Sequence, residues 1–208
     1  MNIDAAAGRP SDIQLPEPRT SGGTPLMDAI KARRSTRKYS PTPLSLQELS
    51  EVLWAAYGLT RDYAGTGIRT TGSHAAPAAH NWQELDLYLA TVEGSYLYDW
   101  RGHRLEGVLS EDIRHLTAHE EQPFVLEVPM ILIYVADLAR MDHSDDWDKS
   151  VFPWADSAAA GENVYLYCAS ADLATVCRAK FDRAPLAAAM GLRSDQLITF
   201  SQPVGYPG

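Results

Sequence analysis

The chain has very few cysteines. Cys168 and Cys177 are the only two among 208 residues, and their separation of nine positions fits neither a metal site nor a disulfide framework. No apolar run approaches the roughly 18 residues that a membrane-spanning helix needs. Positive charge is also scarce, because 18 Lys and Arg stand against 27 Asp and Glu, a formal net charge of -9. This balance argues against a general nucleic-acid binder, which needs a basic face to displace counterions.

The first 24 residues lack the apolar core of a secretory signal. They are rich in Gly, Pro, Ser and Asp, which predicts an extended N-terminal arm over residues 1–24. The remaining length and the ordinary composition predict a single domain over residues 25–208. We expect a cytoplasmic protein, with the periplasm as the alternative if a leader has been removed.

Several common site motifs are incomplete. His115 and His119 have helical spacing, but the HExxH pattern and a third ligand are missing, so a solvated polar face is favoured over zinc. The acidic stretch MDHSDDWDKS has Trp147 where a calcium loop needs glycine. No Lys-Ser/Thr follows the glycines of 65–67, as a Walker loop requires, and no GxSxG elbow is present. The sequence therefore predicts no metal site and no catalytic side-chain nucleophile.

The apolar patterns predict a layered α+β domain built on a mixed sheet flanked by helices. A helix should begin near Pro25, and a second should follow Ser45, whose capping box with Glu48 and terminal Gly58 are clear in the sequence. Further helices are predicted over 111–121, 155–177 and 184–191. Strands are predicted over 85–92, 129–138 and 197–205, with a hairpin across 95–109 that turns at Arg101 and Gly102.

A concentrated basic cluster stands out in this acidic chain. Arg33, Arg34, Arg37 and Lys38 follow one another closely at the end of the first predicted helix. Cations at that position complement the negative end of the helix dipole. Guanidinium groups also bind phosphate in bidentate geometry. On these residues alone both explanations stay open.

A long irregular stretch between the second helix and the first long strand ends in APAAHNWQE. Pro77, Ala78 and Ala79 have little side chain, so their backbone could approach a flat ligand closely. Asn81 offers a donor and an acceptor for the edge of a ring, and Trp82 an apolar wall. Long loops in compact domains are usually functional or disordered. Because this loop runs directly into a strand, a functional loop is favoured.

Four motifs, in this order along the chain, resemble the nitroreductase family of FMN-dependent oxidoreductases, and most closely its SagB-type dehydrogenase branch. They are RRSTRKYSPTPLSLQELSEVLWAAYG, APAAHNWQELDLYLAT, AAAGENVYLYCASADLATVCR and PVGYP. The resemblance extends from about Pro25 to Tyr206. It implies an α+β fold and an intertwined homodimer that holds FMN at its subunit interface.

The resemblance also implies which residues bind the cofactor. The family's arginine segment, which holds the flavin phosphate and ribityl chain, matches Arg33, Arg34, Ser35 and Arg37. The family's small-residue loop, which flanks the isoalloxazine ring, matches Ala76, Pro77, Ala78, Ala79 and Asn81, with Gln83 as a lesser candidate. The segment from Thr175 to Arg178 is expected near the N5 side of the flavin.

Two departures from the family pattern affect this expectation. Ala78 stands where family loops commonly have Ser, so one flavin hydrogen bond is either missing or made by the backbone. Many members also carry a basic pair beyond GYP, whereas this sequence stops at Gly208. We therefore expect Arg178 or Lys180 to help the arginine segment hold the phosphate.

An enzyme of this type positions its flavin, which carries the chemistry, so no side chain is expected to act as nucleophile or general acid. The expected reaction is ping-pong hydride transfer from NAD(P)H through FMN N5 to a small acceptor such as a nitroaromatic, a quinone or a free flavin. One alternative is a SagB-type dehydrogenase that oxidises an organic or peptide substrate. The other is a flavin-binding module or partner-binding subunit without turnover. Neither nucleic acid nor membrane is an expected partner.

Overall fold

The computed structural model describes residues 8–63 and 72–208. Its strands are β1 (Ile13–Gln14), β2 (Leu59–Asp62), β3 (Gly72–His74), β4 (Leu85–Thr91), β5 (Gly94–Asp99), β6 (Arg104–Leu109), β7 (Met130–Asp137), β8 (Ala174–Thr175) and β9 (Gln196–Gly205). Its α-helices are α1 (Leu26–Ala32), α2 (Leu46–Tyr57), α3 (Asp146–Ser170) and α4 (Arg183–Ala189). Short 3-10 turns occur at Ala79–Asn81, Arg114–Thr117, Pro123–Glu127 and Leu138–Arg140.

Seven strands form the central sheet in the order β1-β6-β5-β4-β7-β9-β8, and β2 and β3 form a separate hairpin. The predicted α+β architecture is confirmed. The predicted mixed sheet is wrong for the described residues, because all of their strand pairings are antiparallel. The uninterrupted apolar run of β7 reflects cover on both faces of the sheet, and such a run does not by itself set strand direction.

Two hydrophobic cores cover the opposite faces of the sheet. Leu132 and Tyr134 of β7 belong to the core that α2 and α3 complete. Ile131 and Ile133, which alternate with them, belong to the second core, with residues of the 113–128 segment and α4. Every residue of β7 is buried, and each large apolar side chain contributes roughly 1.5–3 kcal/mol by leaving water. This double burial makes β7 the centre of the fold.

The start of α2 has the local chemistry that the sequence predicts. The Ser45 side chain accepts a hydrogen bond from the backbone N–H of Glu48, and the Glu48 carboxylate accepts one from the backbone N–H of Ser45 at 2.8 Å. The helix ends at Gly58, as predicted. Tyr206 also donates to Glu48 at 2.6 Å, which ties the last strand segment to the beginning of this helix.

The bounds of α3 differ from the predicted 155–177. The helix begins nine residues earlier, because Asp145 caps it and the acidic stretch becomes its first turn. It ends at Ser170, because Ala174 and Thr175 pair with β9 instead of continuing the helix. The predicted helix over 111–121 is only a 3-10 turn at Arg114–Thr117. The predicted strands, the 95–109 hairpin and the last short helix are present.

The described part of the predicted arm lies against the domain. Ile13 and Gln14 pair with β6, and Leu15 is buried in the core shared with α2 and α3. Arg19 then binds the carboxylate of Glu51 on α2 at 2.6 Å. The boundary at residues 24 and 25 stays a prediction. Residues 1–7 and the glycines of 65–67 lie outside the described residues.

The capping box predicts a measurable stability effect. Replacing Ser45→Ala should lower the free energy of unfolding by about 1 kcal/mol, because an N–H at the start of α2 loses its acceptor. Urea unfolding should show a lower midpoint with an unchanged slope. Ser194→Ala, at an exposed position, is the control and should leave the midpoint in place. Equal midpoints for the two variants would contradict the capping role.

Candidate functional site

The basic segment, which we define as residues 33–38, runs without helical structure beside the end of the sheet. The backbone N–H of Arg33 closes α1 by donating to the carbonyl of Ala29, after which the chain leaves the helix. The N–H of Thr36 then donates to the carbonyl of Thr175 in β8 at 2.9 Å, and Ser40 donates to Tyr206 at 2.9 Å. These bonds fix the path of the backbone from which the arginines project.

Tyr165 of α3 connects the basic segment to the residues after β8. The guanidinium of Arg33 lies 5.2 Å from the centre of the Tyr165 ring, a cation–π distance. The Tyr165 hydroxyl accepts a hydrogen bond from the N–H of Cys177 at 2.8 Å, and lies 3.0 Å from the hydroxyl of Ser35. Predicted residues Arg33 and Ser35 are thus brought together with the backbone of the 175–178 segment.

The cations of this segment have no carboxylate partner. Among the described residues, Arg33, Arg34, Arg37 and Lys38 form no ion pair, although nine arginine or lysine contacts with carboxylates are made elsewhere. A cavity of about 320 Å³ adjoins the segment, lined in part by Arg34, Thr36 and Tyr165. Uncompensated guanidinium groups beside a cavity fit a phosphate dianion.

The small-residue loop has an unusual backbone. His80, Asn81 and Gln83 adopt left-handed φ angles of 48°, 58° and 52°, a conformation that costs free energy in residues other than glycine. The N–H of Ala79 donates to the Asp156 carboxylate of α3 at 2.8 Å, and the N–H of Asn81 donates to the carbonyl of Ala78. Such strain persists only where surrounding contacts impose it, and it is concentrated at functional sites.

Three of the loop's predicted residues face different surroundings. Ala76 is buried in the core, whereas Pro77 and Asn81 are exposed. The Gln83 amide donates to the carbonyl of Gly72 at 2.7 Å and to the Asn81 side chain at 3.0 Å, so it secures the loop to β3. The indole of Trp82 donates to the carbonyl of Asp142 at 2.9 Å. Gln83 and Trp82 therefore act as anchors of the loop.

The basic segment and the small-residue loop both contact α3, at different positions along the helix axis. The small-residue loop is bound to Asp156, and the basic segment to Tyr165, nine residues further along α3. With a rise of 1.5 Å per residue, these two contacts are about 14 Å apart along the helix axis. No signal in the sequence indicated a role for either residue of α3: Tyr165 lies within the motif AAAGENVYLYCASADLATVCR, but only its fold position relates it to the basic segment, and Asp156 precedes that motif. Only their position on one helix relates the two segments.

Arg178 and Lys180 are placed differently from the basic segment. The guanidinium of Arg178 is 4% exposed and donates to Gln122, Ser201 and the Thr117 carbonyl at 2.7, 3.2 and 2.9 Å. Burial lowers the pKa of Arg178 to about 10, so it stays charged at neutral pH. Lys180 is exposed and lies 2.6 Å from the Glu121 carboxylate. These contacts favour a structural role for Arg178, and its help in phosphate binding stays a prediction.

Metal-ligand clusters and membrane-spanning helices are both absent from the described residues. Residues 8–63 and 72–208 contain no group of three His, Cys, Asp or Glu side chains arranged to hold a metal ion. The helices in these ranges include none that is both long and apolar enough to cross a membrane. The geometry thus brings a basic segment and a small-residue loop against one helix.

Known proteins resemble this chain over nearly its whole length. The model of the nitroreductase family matches residues 30–206. A nitroreductase-family protein of Methanocaldococcus jannaschii is 30% identical over 177 residues, which are 81% of this chain and 84% of that protein. A nitroreductase-family crystal structure from Ralstonia eutropha has a TM-score of 0.86 at 37% identity, covering 98% of this chain and 91% of that one.

A more distant structure shares the fold alone. The NADPH:FMN oxidoreductase of Vibrio harveyi, crystallised with NAD+, has a TM-score of 0.63 at 17% identity. The match covers 88% of this chain and 68% of that one. The predicted family resemblance is confirmed by the family model and the two relatives of higher identity.

The different placement of Arg178 and Lys180 can be tested through stability. Arg178→Met should lower the free energy of unfolding by about 2–4 kcal/mol, because buried acceptors lose a charged donor. Lys180→Met removes only an exposed ion pair and should leave the unfolding midpoint unchanged. Chemical denaturation followed by circular dichroism measures both. A small effect of Arg178→Met would show that its hydrogen bonds do not support the fold.

Proposed function

Because this chain belongs to the nitroreductase family, whose members are flavin-dependent oxidoreductases, we propose that it binds FMN and transfers reducing equivalents from NAD(P)H to a small acceptor. The observation that carries the proposal is a cluster of guanidinium groups, without carboxylate partners among the described residues, where the family's phosphate segment falls. In an acidic chain, such a cluster is best explained by an anionic ligand.

The phosphate would be held by Arg33, Arg34 and Arg37, with the Ser35 hydroxyl as a further donor. Guanidinium forks suit a phosphate because they present two parallel N–H donors to two oxygens. Arg33 is already oriented by the ring of Tyr165. The side chains therefore lose less conformational freedom when the ligand binds.

The isoalloxazine ring would lie along the loop of Ala76, Pro77, Ala78 and Ala79. The amide of Ala79 is occupied by Asp156, whereas Ala78 donates no backbone hydrogen bond within residues 8–63 and 72–208. The Ala78 N–H can therefore replace the serine hydroxyl that family loops commonly present. The exposed Asn81 side chain supplies a donor and an acceptor to the ring edge.

When bound, FMN supplies the redox chemistry, its N5 taking hydride from NAD(P)H before a second compound accepts the electrons. The protein positions the reactants and needs no side-chain nucleophile or general acid. An aromatic surface beside the loop favours a flat acceptor such as a nitroaromatic, a quinone or a flavin. The centre of the His80 ring lies 4.5 Å from that of Trp82, with the two rings tilted by 35°. The centre of the Phe152 ring lies 5.8 and 5.5 Å from those of Trp82 and Trp147.

The proposed assembly is an intertwined homodimer with FMN at its interface. Three apolar side chains of α1, Leu26, Met27 and Ile30, are 63%, 73% and 48% exposed in the single chain. An apolar helix face of this kind is typical of a surface that another subunit covers. The face ends next to the basic segment, so a second subunit would also limit access to the phosphate site.

Reduction of the cofactor is the direct test of enzymatic function. The protein reconstituted with FMN should be yellow, and its visible flavin bands should bleach when NADH or NADPH is added without oxygen. Reoxidation by a nitroaromatic or a quinone should follow, as measured by anaerobic stopped-flow absorbance. A yellow protein that neither nicotinamide bleaches would favour a binding module or a different donor. A protein that cannot be reconstituted would contradict the proposal.

The phosphate site is tested by removing two of its arginines. The double variant Arg33→Ala/Arg37→Ala should bind FMN at least about a hundredfold more weakly, because each charge-assisted contact contributes about 1.5–3 kcal/mol. Riboflavin, which has no phosphate, should bind with nearly unchanged affinity. Fluorescence titration measures both ligands.

A matched control removes the same amount of charge elsewhere. Arg9→Ala/Arg101→Ala takes two cations from the β6 side of the sheet and should leave FMN affinity nearly unchanged. Equal weakening of FMN and riboflavin in the Arg33/Arg37 variant would indicate a folding defect. Equal weakening of FMN in the two double variants would indicate long-range attraction by overall charge and would contradict a specific phosphate site.

A further inference from the structure

Glu84 is a buried carboxyl directly behind the small-residue loop. It follows Gln83 at the point where the loop enters β4, and it is 1% exposed. Both of its carboxyl oxygens are buried, and no other described residue donates a hydrogen bond to either. A carboxylate without donors in such a position is costly, so its protonated form is favoured.

Another carboxyl interacts with that of Glu84. Asp156 of α3 is 7% exposed and interacts with the Glu84 side chain. One Asp156 oxygen already accepts the N–H of Ala79 at 2.8 Å. Two carboxyl groups in contact can form a hydrogen bond only if one of them carries a proton. Since Asp156 acts as an acceptor for the loop, Glu84 is the natural donor of the pair.

The other groups around Glu84 do not replace this proton. The phenol of Tyr57 on α2 is buried, and its oxygen has no hydrogen-bond partner among the described residues. Its ring stacks on His74 with 3.8 Å between ring centres. His74 is half-buried, and burial lowers its pKa, so the ring is neutral at neutral pH and brings no cation. The α2 and β3 sides therefore supply no charge to stabilise an ionised Glu84.

Arg140 is a cation whose charge acts on Glu84, but its donors are used elsewhere. Its guanidinium lies 2.8 Å from the Asp86 carboxylate and 3.5 Å from that of Asp137. It also donates to the backbone carbonyl of Gln83 at 3.3 Å. Arg140 thus attracts negative charge at Glu84 without contacting it. Two other carboxylates compete for the same cation.

We propose that Glu84 is a positioning residue whose protonated carboxyl donates to Asp156 and thereby holds the Asp156 oxygen beneath the amide of Ala79. The bond keeps the strained loop in the conformation that lines the flavin, and this step rests on the function proposed above. His80 and Gln83, with their left-handed backbones, flank the anchored amide, so the loop needs an anchor at this point to stay in place.

The arrangement makes the loop sensitive to pH. Burial, with a smaller contribution from the neighbouring Asp156 carboxyl, raises the pKa of Glu84 from its ordinary 4.5 to about 7. Burial also raises the pKa of Asp156. Below about pH 7 Glu84 keeps its proton and the bond is intact. As pH rises through about 7, Glu84 ionises, the two carboxylates repel each other, and the hold on Ala79 weakens.

Flavin affinity measured against pH tests the proposal. If only the protonated form holds the loop for FMN, the dissociation constant of the natural protein should rise about tenfold between pH 6 and pH 8. Glu84→Gln keeps a neutral donor and should bind like the natural protein at pH 6 without that rise. Glu84→Leu has no donor and should bind weakly at both pH values. Because the phosphate of FMN titrates identically in every sample, the ratio between variants is the quantity compared.

Glu127→Gln is the matched control, because Glu127 is an exposed glutamate away from the loop. It should retain the pH dependence of the natural protein. A ratio between the natural protein and Glu84→Gln that stays constant from pH 6 to pH 8 would overturn the proposal. So would Glu84→Leu binding as tightly as Glu84→Gln, because then the hydrogen bond to Asp156 would be unnecessary.

A second measurement needs no flavin and separates this proposal from the proposed function. Amide hydrogen exchange of the flavin-free protein, corrected for intrinsic rates, should show lower protection of Ala79 at pH 8 than at pH 6. The loss should disappear in Glu84→Gln, and the amides of β7 serve as an internal reference. If no variant binds FMN but the exchange follows this pattern, the proposed function fails and the positioning role stands. Exchange at Ala79 that is the same in both proteins at both pH values contradicts the positioning role.

Discussion

The docking of α3 against the sheet is the constraint on which the rest of the structure depends. Its buried face meets β9 through polar contacts, and it shares an apolar core with β7. Ser157 and Thr199 are hydrogen-bonded at 2.7 Å, and the Gln202 amide donates to the carbonyl of Gly161 at 3.2 Å. At Gly161 a side chain would approach the Gln202 oxygen to 3.3 Å, so glycine permits the close contact. Because buried polar groups must be paired, these bonds fix the height and rotation of the helix.

That fixed helix places the two candidate ligand-binding segments relative to each other. The basic segment depends on Tyr165, and the small-residue loop depends on Asp156, so both are positioned by one rigid element. The segments are far apart in the chain, and their direct neighbours differ. The distance between these two contacts along α3 suits a ligand that has an anionic group at one end and a flat ring at the other. The helix is therefore a support for the proposed site as well as part of the core.

Electrostatics distinguish the two ends of this site. At one end, the arginines of the basic segment have no carboxylate partner within residues 8–63 and 72–208, in a chain that has an excess of acidic residues. At the other end, Glu84 and Asp156 are buried together, and their mutual repulsion favours a proton between them. The first arrangement suits the phosphate that we propose it binds. In the second arrangement, the proposed hydrogen bond joins the two carboxyl groups to each other. That bond stabilises a loop whose backbone angles would otherwise be unfavourable.

Local patterns in the sequence determined several secondary-structure elements of the protein and indicated its family. The Ser45 capping box, the turn at Arg101 and Gly102, and the buried run of β7 each depend on neighbouring residues, so they are readable in the chain. The order of the motifs indicated the family for the same reason. Strand direction, the pairing of Ala174 and Thr175 with β9, and the inward path of Arg178 were decided only by tertiary structure. The Glu84–Asp156 contact belongs with these, because partners 72 positions apart meet only after the sheet and α3 have packed, and no local pattern encodes that meeting.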